Sequence, residues 1–486
     1  MSAWRFWTPP ADSIPTLEVP SLDGIRAVHL IGVGGAGMRN LARLLHARGI
    51  EVSGSDIKDS VYLRELSRAG VATHVGHDAT NLGTPDAVII SSAIRHGNPE
   101  LEAARVRAIP TWKRQQALGA LVRGHRAVSV AGTHGKTTTT SLVAAALERA
   151  GLDPSYLVGG DLNESGSGAR HGEGDLFVFE ADESDGSFLL APAWTGIVTN
   201  VDVDHVDFYP GGLDEIVRAF AEFAARAEHV VAWGDDLSLR RALDLSGVPA
   251  VTYGEGADND VVLTIGGLGP DGARGSLRFA DSAQEVEIAL RVDGPHNLLN
   301  AAAAIAAARL AGVDPAEAAD ALRSFEGVHR RFEFRGSVRG ADFYDDYGHT
   351  PREMEVTVGT ARRRQPRRLI ALVQPHRYAR VQALWRELGA SVTGADLVIV
   401  TDVDGAAQDP IPGVTGKLVV DGVQLAAPGR RTVYLPHRRD VVGFLDREIR
   451  EGDLVVTMGC GDVWMLGDAA LAQIREHDAR SQERDA

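Results

Sequence analysis

The sequence predicts an α/β protein with three domains, each built on a mainly parallel β-sheet. Its 486 residues are enough for about three domains of ordinary size. Two glycine-rich turns, Gly32–Met38 and Ala131–Thr140, each follow a short apolar run and precede a helical pattern. Apolar strands continue to alternate with helices almost to the C-terminus, which is typical of sheets covered by helices. We expect domains at residues 1–124, 125–335 and 336–486.

The composition excludes several classes of partner. The net charge of −16 repels nucleic acid and anionic lipid surfaces, so an anionic ligand must be held by a local group of donors. A single cysteine, Cys460, excludes an internal disulfide bond and suggests a reducing compartment. The N-terminus lacks a signal-peptide pattern, and no apolar stretch reaches membrane length. We therefore expect a soluble, cytoplasmic protein with no nucleic-acid or membrane partner.

The first predicted strand, Ala27–Ile31, leads into a complete G-x-G-x-x-G pattern that begins at Gly32. A helix is expected from about Asn40 to Arg48, and a second strand ends at Asp56. An acidic residue roughly 20 residues beyond the glycines is where a dinucleotide-binding Rossmann fold meets a ribose hydroxyl. The pattern indicates a pyrophosphate at a helix N-terminus, and it does not distinguish NAD from a UDP-sugar.

The loop after the next strand, Ala87–Ile90, is a second candidate for ligand binding in this domain. It contains Ser91 and Ser92 at the carboxyl end of a strand, where open α/β sheets bind ligands. Capping of the following helix is an equally good interpretation of the two serines. A helix predicted at Trp112–Leu121 then ends the domain.

The segment Ala131–Thr140 predicts a phosphate-binding loop at the start of the central domain. It follows an apolar strand and precedes a helical pattern at Ser141–Ala150. Backbone N–H groups at its glycines can surround a polyphosphate, Lys136 can reach the outer phosphates, and the hydroxyl of Thr137 can bind Mg²⁺. The motif is a shortened variant, because Val130 stands where the first glycine of G-x-x-x-x-G-K-[ST] belongs. An ordinary strand-to-helix turn is the alternative, but four consecutive threonines are poor helix formers.

Acidic residues and one histidine follow the next two predicted strands, Leu176–Phe179 and Ile197–Asn200. The first strand runs into Glu180–Asp185, and His205 follows the second. Hard cations bind carboxylate oxygens, so acids at strand ends downstream of a phosphate loop indicate a site for the Mg²⁺ that accompanies a nucleotide. Helix capping or exposure to water is the interpretation we prefer for at least half of these acids.

The rest of the central domain combines peripheral strands with an alanine-rich helix. Short alternating runs between Val251 and Arg291 predict antiparallel β hairpins. Asn297 and Asn300 precede the predicted helix Ala301–Ala311, where they can hydrogen-bond a purine or cap the helix. Arg331, which follows another arginine, ends the domain with a guanidinium group suited to a phosphate.

The third domain is predicted to be another doubly wound α/β unit. Its strands are expected at Leu369–Val373, Leu397–Thr401 and Leu454–Met458. Arg377 and Arg380 follow the first of these strands one helical turn apart. This spacing lets both guanidinium groups clamp one carboxylate or phosphate.

Eight segments, in the same order along nearly the whole chain, resemble those of the Mur ligases. They are Gly32–Met38, Gly132–Thr138, Glu180–Asp185, Thr199–His205, Gly294–Asn300, Gly327–Phe332, Asp345–His349 and His376–Arg380. The resemblance implies a Rossmann-like N-terminal domain that binds a UDP-sugar, a central P-loop ATPase α/β domain with peripheral β hairpins, and a C-terminal Rossmann-like α/β domain that binds an amino acid. It also implies an ATP- and Mg²⁺-dependent amide ligase of peptidoglycan synthesis, which joins L-alanine to the lactyl carboxylate of UDP-N-acetylmuramate through an acyl phosphate. The implied partners are these two small-molecule substrates, and no obligate protein partner is implied.

The same resemblance assigns residues to the parts of this reaction. The implied catalytic residues are Lys136, His349, Arg377 and Arg380, and the implied metal ligands are Thr137, Glu180 and His205. ATP is expected to contact Gly132, Thr133, His134, Gly135, Lys136, Thr137, Thr138, Asn297, Asn300, Arg331 and Asp346. The UDP-sugar is expected to contact Gly34, Ala36, Gly37, Asp56, Ser91 and Ser92.

Three alternatives stay open at the level of the sequence. A related ligase that recycles murein tripeptide shares the glycine-rich opening in a variant form. An NAD-dependent oxidoreductase would account for the first glycine-rich turn but not for the second. A catalytically silent nucleotide-binding protein would account for both turns.

Two features depart from the family pattern. Thr350 stands where the pattern Asp-Asp-Tyr-Gly-His-His-Pro has a second histidine. The chain also has no lysine between Lys136 and Lys417. In the pattern that several Mur ligases share, a carbamylated lysine of the central domain lies beside a second metal ion. We therefore expect activity that is independent of bicarbonate.

Overall fold

The computed structural model describes residues 4–10, 19–91, 94–163, 166–190, 193–205, 208–282, 284–406 and 408–485. These residues form three β-sheets of five, ten and six strands. The chain divides into two structural units, one with Met1–Gly267 and Gly272–Val328, the other with Leu268–Asp271 and His329–Ala486. Apart from the hairpin tip at Leu268–Asp271, the first two sheets belong to the first unit, and the six-stranded sheet belongs to the second.

The five-stranded sheet carries the first glycine-rich turn. Its strands are β1 Ala27–Ile31, β2 Glu51–Asp56, β3 Ala72–Val75, β4 Ala87–Ile90 and β5 Thr111–Lys113. Its helices are α1 Ala36–Ala47, α2 Val61–Arg68, α3 Pro99–Val106 and α4 Arg114–Val122, with a 3₁₀ turn at Ala79–Leu82. All neighbouring strands are parallel, in the order β3-β2-β1-β4-β5. The strand order therefore reverses at β1, and the turn that follows β1 lies where open α/β sheets bind ligands.

Two helix boundaries in this domain differ from the prediction. The first helix begins at Ala36 instead of Asn40, because the glycine turn leads directly into it with Gly35 as its N-cap. Trp112 lies in β5 and not in a helix, since it pairs with Ile89 of β4 at the edge of the sheet. The helix that follows begins only at Arg114.

The capping interpretation of Ser91 is wrong. The helix after β4 is α3, and its N-cap is Asn98, whose side chain accepts hydrogen bonds from the N–H groups of Glu100 and Leu101. Ser91 instead continues β4, where its N–H donates to the carbonyl of Ile31 at 3.2 Å. Ser92 lies outside the described residues.

The ten-stranded sheet carries the phosphate loop. Its strands are β6 Arg126–Ala131, β7 Ser155–Leu157, β8 Ala169–Arg170, β9 Leu176–Glu180, β10 Thr195–Val198, β11 His229–Trp233, β12 Val251–Gly254, β13 Val261–Gly269, β14 Gly272–Phe279 and β15 Glu285–Leu290. Its helices are α5 Lys136–Arg149, α6 Leu213–Ala224, α7 Leu237–Ser246, α8 Pro295–Leu310 and α9 Pro315–Leu322, with a 3₁₀ turn at Ser187–Leu189. The strand order is β15-β14-β13-β12-β11-β10-β6-β9-β7-β8. The loop after β6 is thus flanked by the carboxyl ends of β10 and β9, the strands that the acidic residues follow.

The predicted hairpins form one edge of this sheet. Strands β14 and β15 pair in antiparallel fashion, as expected. Strand β12, however, is parallel to both of its neighbours, β11 and β13, so the region extends the central sheet. Alternation of apolar and polar residues could not reveal this, because the side-chain period of two is the same in parallel and antiparallel strands.

Helices α5 and α8 both begin earlier than the sequence pattern indicated. They start at Lys136 and Pro295, because a glycine turn leads straight into each of them. Buried alanines of α8, from Ala301 to Ala308, belong to the same apolar core as Val143 and Leu147 of α5. Their small side chains let the two helices pack closely, which brings the first turn of α8 to the phosphate loop.

The six-stranded sheet confirms the strands predicted for the C-terminal region to within one residue. Its strands are β16 Glu333–Val338, β17 Ala341–Asp346, β18 Arg368–Val373, β19 Leu397–Val400, β20 Arg431–Tyr434 and β21 Asp453–Met458. Its helices are α10 Pro351–Arg363, α11 Tyr378–Ser391, α12 Lys417–Ala426, α13 Arg438–Glu448 and α14 Trp464–Asp485. The order is β16-β17-β21-β18-β19-β20, and only the β16–β17 pair is antiparallel. Among the described helices of the chain, none has the length and apolar character needed to span a membrane.

Candidate active site

The phosphate loop has glycine where a side chain cannot fit. Gly132 and Gly135 have φ angles of 131° and 81°, a region that favours glycine. A Cβ atom at Gly132 would collide with the hydroxyl of Thr199, and one at Gly135 would lie 2.8 Å from the side-chain oxygen of Asn300. The structure therefore places Asn300 of α8 directly against the loop. Asn297 lies one turn earlier, where its side chain donates to the carbonyl of Asp293 at 2.7 Å.

The segment after β10 holds the loop in shape. The N–H of His134 donates to the side-chain oxygen of Asn200 at 2.8 Å, and the side chains of Asn200 and Thr199 donate back to the His134 carbonyl at 2.9 and 2.6 Å. The hydroxyl of Thr133 accepts from the N–H of Asp202 at 2.9 Å. These contacts fix the backbone of the loop, so its N–H groups are preorganised for an anion. Thr138 follows on the first turn of α5.

Lys136 is held by a carboxylate that the sequence analysis did not assign. Its Nζ lies 2.9 Å from Glu183 Oε2 and donates to the carbonyl of Gly132 at 2.7 Å. Burial alone would lower the pKa of Lys136, but the charges of Glu183, Asp182 and Glu180 raise it well above its ordinary value. Burial raises the pKa of Glu183, although Lys136 acts in the opposite direction. Lys136 therefore remains an ammonium group at neutral pH, as phosphate binding requires.

The three predicted metal ligands fall into two sets around Lys136. The hydroxyl of Thr137 donates to Glu180 Oε2 at 2.9 Å. His205 instead lies with Asp182 and Glu183, and one potential ligand atom from each of these three residues lies within 4.8 Å of the others. The donors are mainly carboxylate and hydroxyl oxygens, which suit Mg²⁺. The residues present therefore fit a magnesium ion that accompanies a nucleotide.

His205 has the backbone conformation and surroundings of a functional residue. Its φ angle is 50°, which is unusual for a residue with a side chain. Its Nε2 lies 3.9 Å from Glu183 Oε1 and 3.5 Å from Asp204 Oδ2. Its Nδ1 is buried and has no hydrogen-bond partner among the described residues. Such strained residues persist where the surrounding structure holds them, and they concentrate at functional sites.

In the five-stranded domain, Asp56 fastens the glycine loop. Its Oδ2 accepts a hydrogen bond from the N–H of Gly34 at 2.9 Å, and its Oδ1 accepts from the N–H of Lys58 at 3.1 Å. A Cβ at Gly32 would lie 3.1 Å from the Cβ of Ser91, so this serine borders the loop. Ala36 begins the helix that the loop leads into. Contact between Asp56 and a ribose remains a prediction.

Arg114 is a further candidate ligand that the sequence analysis missed. A Cβ at Gly37 would lie 2.6 Å from a guanidinium nitrogen of Arg114, so this side chain covers the first turn of α1. Burial alone would raise the pKa of Asp182, but the charges of Lys136 and Arg114, with a hydrogen bond from the Ser184 amide, lower it. Arg114 therefore covers the start of α1, and its charge also acts on Asp182 of the acidic segment. No motif marks it, because only the sheet order brings α4 to this place.

In the second unit, Asp346 fastens the turn that carries Arg331. One of its oxygens accepts from the N–H of Phe332, and the other accepts from the N–H of Gly348 and the hydroxyl of Thr357, all within 2.8–2.9 Å. Burial raises the pKa of Asp346, although the charge of Arg331 opposes this. The structure thus gives Asp346 a role in positioning, and direct contact of Asp346 or Arg331 with ATP remains a prediction.

The predicted residues His349, Arg377 and Arg380 lie near the carboxyl ends of β17 and β18. The rings of His349 and His376 have centroids 5.8 Å apart, and Arg380 Nη1 lies 3.4 Å from His376 Nδ1. Arg380 is only 6% exposed. Arg377 precedes α11 with a φ angle of 64°, again in the left-handed region. His376 is the member of this group to which the sequence analysis gave no role.

Thr350, the departure from the family pattern, is the N-cap of α10. Its hydroxyl accepts from the N–H of Glu353 at 3.4 Å, and the Glu353 carboxylate accepts from the N–H of Thr350 at 3.1 Å. This reciprocal pair is a capping box, which satisfies two N–H groups at a helix start. A threonine at this position is therefore explained by helix capping.

Comparison with known proteins gives one consistent family. Residues 27–126 match the description "Mur ligase family, catalytic domain", residues 130–308 match "Mur ligase middle domain", and residues 330–461 match "Mur ligase, glutamate ligase domain". The chain is 43% identical to the UDP-N-acetylmuramate–L-alanine ligase of Rubrobacter xylanophilus, over 92% of this chain and 100% of the relative. It is 44% identical to the ligase of the same description from Kineococcus radiotolerans, over 94% and 98% respectively.

Solved structures agree with these relatives. The UDP-N-acetylmuramate-alanine ligase of Thermotoga maritima has a TM-score of 0.79 at 27% identity, over 93% of this chain and 99% of that one. A murein peptide ligase from Psychrobacter arcticus has a TM-score of 0.72 at 25% identity, with the same coverage. The sequence matches extend over all three sheets and both glycine-rich loops, and the chain belongs to the Mur ligase family.

Proposed function

We propose that this chain is an ATP-dependent ligase that joins L-alanine to the lactyl carboxylate of UDP-N-acetylmuramate in peptidoglycan precursor synthesis. The observation that carries the proposal is the placement of Lys136, Thr137 and Glu180 together at the phosphate loop. This arrangement suits a nucleoside triphosphate and its metal ion. The choice of the other two substrates is supported by the curated relatives, which are described by these substrates and match over almost their whole length.

The chemistry requires activation of the carboxylate before the amide can form. Transfer of the γ-phosphoryl group of ATP to a carboxylate oxygen gives an acyl phosphate and ADP. The amine of L-alanine then attacks the acyl carbon, loses a proton, and inorganic phosphate leaves from the tetrahedral intermediate. Lys136 would offset the negative charge on the transferring phosphoryl group. Mg²⁺ would supply further charge stabilisation when bound, with Thr137 and Glu180 as one predicted set of ligands and His205, beside Asp182 and Glu183, as the other.

The other residues would bind and orient the substrates. The N-terminus of α1, beside Gly34 and Gly37, offers backbone N–H groups and a positive dipole end to the diphosphate of the UDP-sugar. Arg114 would add a positive charge at the same place. In the second unit, Arg377 and Arg380 would hold carboxylate groups, and His349 would face the incoming amino acid.

A phosphate-release assay with ATP, UDP-N-acetylmuramate and each standard amino acid tests this function. We expect release to depend on both the sugar nucleotide and an amino acid, with L-alanine the best substrate. Release with a murein tripeptide but not with L-alanine would favour the second candidate, a recycling ligase, which the similarity to the murein peptide ligase supports. If no acceptor leads to phosphate release, the chain would be a catalytically silent nucleotide-binding protein. A cytoplasmic location stays a prediction.

A further inference from the structure

The N-terminal segment Trp4–Pro10 precedes the five-stranded sheet in the chain but packs on the central domain. The backbone N–H groups of Arg5 and Phe6 both donate to Glu222 Oε2 of α6, at 2.8 and 3.0 Å. Glu222 is only 2% exposed, so a buried carboxylate is reserved for this segment and for a neighbouring arginine. A buried charge is tolerated only when it is hydrogen-bonded, so Glu222 depends on the N–H groups that this segment donates.

Two tryptophans fix the segment at opposite ends of α6. The ring of Trp4 lies 4.1 Å from the guanidinium carbon of Arg226, just beyond the C-terminal end of the helix. The indole N–H of Trp7 donates to Glu215 Oε1, in the first turn of the helix, at 3.0 Å. Trp7 is 6% exposed. The Trp7 end is therefore the one that reaches toward the loops at the carboxyl edge of the sheet.

Trp7 covers the turn that follows the acidic segment. Gly186 has a φ angle of 72°, and a Cβ there would lie 3.2 Å from Trp7 Cη2. The indole ring also packs on Tyr209 and Phe208, with centroid distances of 5.5 and 6.0 Å. The space above Gly186 is thus filled by Trp7 of the N-terminal segment together with Phe208, whose Cζ would lie 3.1 Å from the same Cβ.

The residues beneath Trp7 set the positions of Glu183 and His205. The hydroxyl of Tyr209 donates to the carbonyl of Glu183 at 2.6 Å, and the N–H of Gly186 donates to the same carbonyl at 3.0 Å. The N–H of Tyr209 donates to the carbonyl of His205 at 2.9 Å. Tyr209 therefore connects the backbone of Glu183, whose carboxylate pairs with Lys136, to the backbone of His205, a predicted metal ligand.

We propose that Trp7 is a positioning residue for the ATP site. By packing on Gly186 and Tyr209, it keeps the Glu183 turn and His205 in register with Lys136. The inference rests on the proposed binding of ATP at the phosphate loop, and it gives the N-terminal segment a part in the reaction that no ligand contact would reveal.

The test compares Trp7→Ala with Trp4→Ala in the full chain. Both changes remove an aromatic ring from the same segment, but only Trp7 touches the Glu183 turn. For Trp7→Ala we expect kcat/KM for ATP to fall by about tenfold to a hundredfold, as a small misplacement of reacting groups can cause. The KM for UDP-N-acetylmuramate should be unchanged. Trp4→Ala should retain wild-type ATP kinetics even if its melting temperature falls.

If Trp7→Ala does not fold, two further variants test the same positioning role. Trp7→Phe retains a ring over Gly186 and should recover most of the activity with ATP. Tyr209→Phe loses only the hydrogen bond to the Glu183 carbonyl and should show a smaller loss in the same direction. Wild-type ATP kinetics in Trp7→Ala or Tyr209→Phe, or an equal loss in Trp4→Ala, would overturn the positioning role.

Titration with Mg²⁺ and ADP separates this proposal from the proposed function. Calorimetry on the same variants should show weaker ADP binding for Trp7→Ala than for wild type or Trp4→Ala. If wild type binds ADP but releases no phosphate with any acceptor, the ligase function fails while the ADP comparison still decides the role of Trp7. Equal ADP affinity in wild type, Trp7→Ala and Trp4→Ala would overturn the positioning role.

Discussion

The ammonium group of Lys136 lies 2.9 Å from the carboxylate of Glu183, although 46 residues separate them in the chain. The pair ties the phosphate loop after β6 to the acidic segment after β9. It also keeps a positive charge on Lys136, because the surrounding carboxylates raise the pKa of Lys136 despite burial.

Removal of this cation should abolish catalysis while leaving the sugar-nucleotide site intact. We expect Lys136→Ala to lose turnover by orders of magnitude, because the charge that stabilises the transferring phosphoryl group is gone. Binding of UDP-N-acetylmuramate, measured by calorimetry, should be close to wild type. Lys417→Ala is the matched control, since Lys417 is an exposed lysine paired with Asp421. A comparable loss of sugar-nucleotide affinity in Lys136→Ala would contradict the separate placement of the two nucleotides.

Arg114 should act on the sugar nucleotide. Because its guanidinium covers the first turn of α1, we expect Arg114→Ala to raise the KM for UDP-N-acetylmuramate by about tenfold, the scale of one charge-assisted hydrogen bond. The KM for ATP should change much less. Arg105→Ala, which removes an exposed arginine of α3, serves as the control. An unchanged KM for the sugar nucleotide in Arg114→Ala would mean that Arg114 does not bind this substrate.

Arg377 and Arg380 should require the guanidinium shape and not only its charge. A lysine cannot make the two parallel hydrogen bonds that arginine makes with a carboxylate, so Arg377→Lys and Arg380→Lys should each lower the reaction rate. Arg352→Lys, at a position that is 62% exposed, should have no effect. Rates near wild type in both lysine variants would mean that neither arginine holds a carboxylate.

Glu100 should make the stability of the protein sensitive to acid. Burial alone would raise its pKa, but the nearby His29 ring, 3.6 Å away, and hydrogen bonds from Ser55 and Asn81 lower the pKa to about 2 from 4.5. A carboxylate with a lowered pKa stabilises the folded state above about pH 4.5, and this contribution is lost as the pH falls toward 2. At about 1.4 kcal/mol per unit, the shift corresponds to roughly 3 kcal/mol.

Denaturant unfolding of Glu100→Gln across this pH range tests the effect. The variant should be less stable than wild type near neutral pH, and its free energy of unfolding should fall less steeply between about pH 4.5 and pH 2. Glu102→Gln, two residues away on the same helix and exposed to solvent, should keep the wild-type pH dependence. The same slope in Glu100→Gln and wild type would show that other groups cause the acid sensitivity.

Activity should not depend on bicarbonate. The chain has no lysine between Lys136 and Lys417, and Lys136 must stay cationic, so no central-domain lysine is left for carbamylation. Removing CO₂ from the buffers should leave the rate unchanged, and Glu180→Ala should be inactive without rescue by bicarbonate or short-chain acids. A reversible fall in rate that follows the bicarbonate concentration would contradict this prediction.

Most strands could be predicted from the sequence, but helix starts and strand pairing were less accessible. Apolar runs such as Leu369–Val373 mark buried strands directly, and the structure confirms them. The helix starts at Ala36 and Lys136 were placed too late, because glycine turns lead into these helices without the usual capping residues. The parallel pairing of β12 was missed because local alternation carries no information about the direction of a neighbouring strand.

The sequence by itself determined the family, the three-domain α/β class and the glycine-rich turn that leads into α5. These depend on contiguous residues, since the order glycine, lysine, threonine sets the local backbone and its chemistry. Tertiary structure alone decided that Glu183 holds Lys136, that Arg114 covers Gly37, and that Trp7 packs over Gly186. The physical reason is that Lys136 and Glu183, like Gly37 and Arg114, follow different strands of one sheet, whereas Trp7 comes from a segment that precedes every described strand. Which of these parts are neighbours depends on sheet order and packing, which no local pattern of residues encodes.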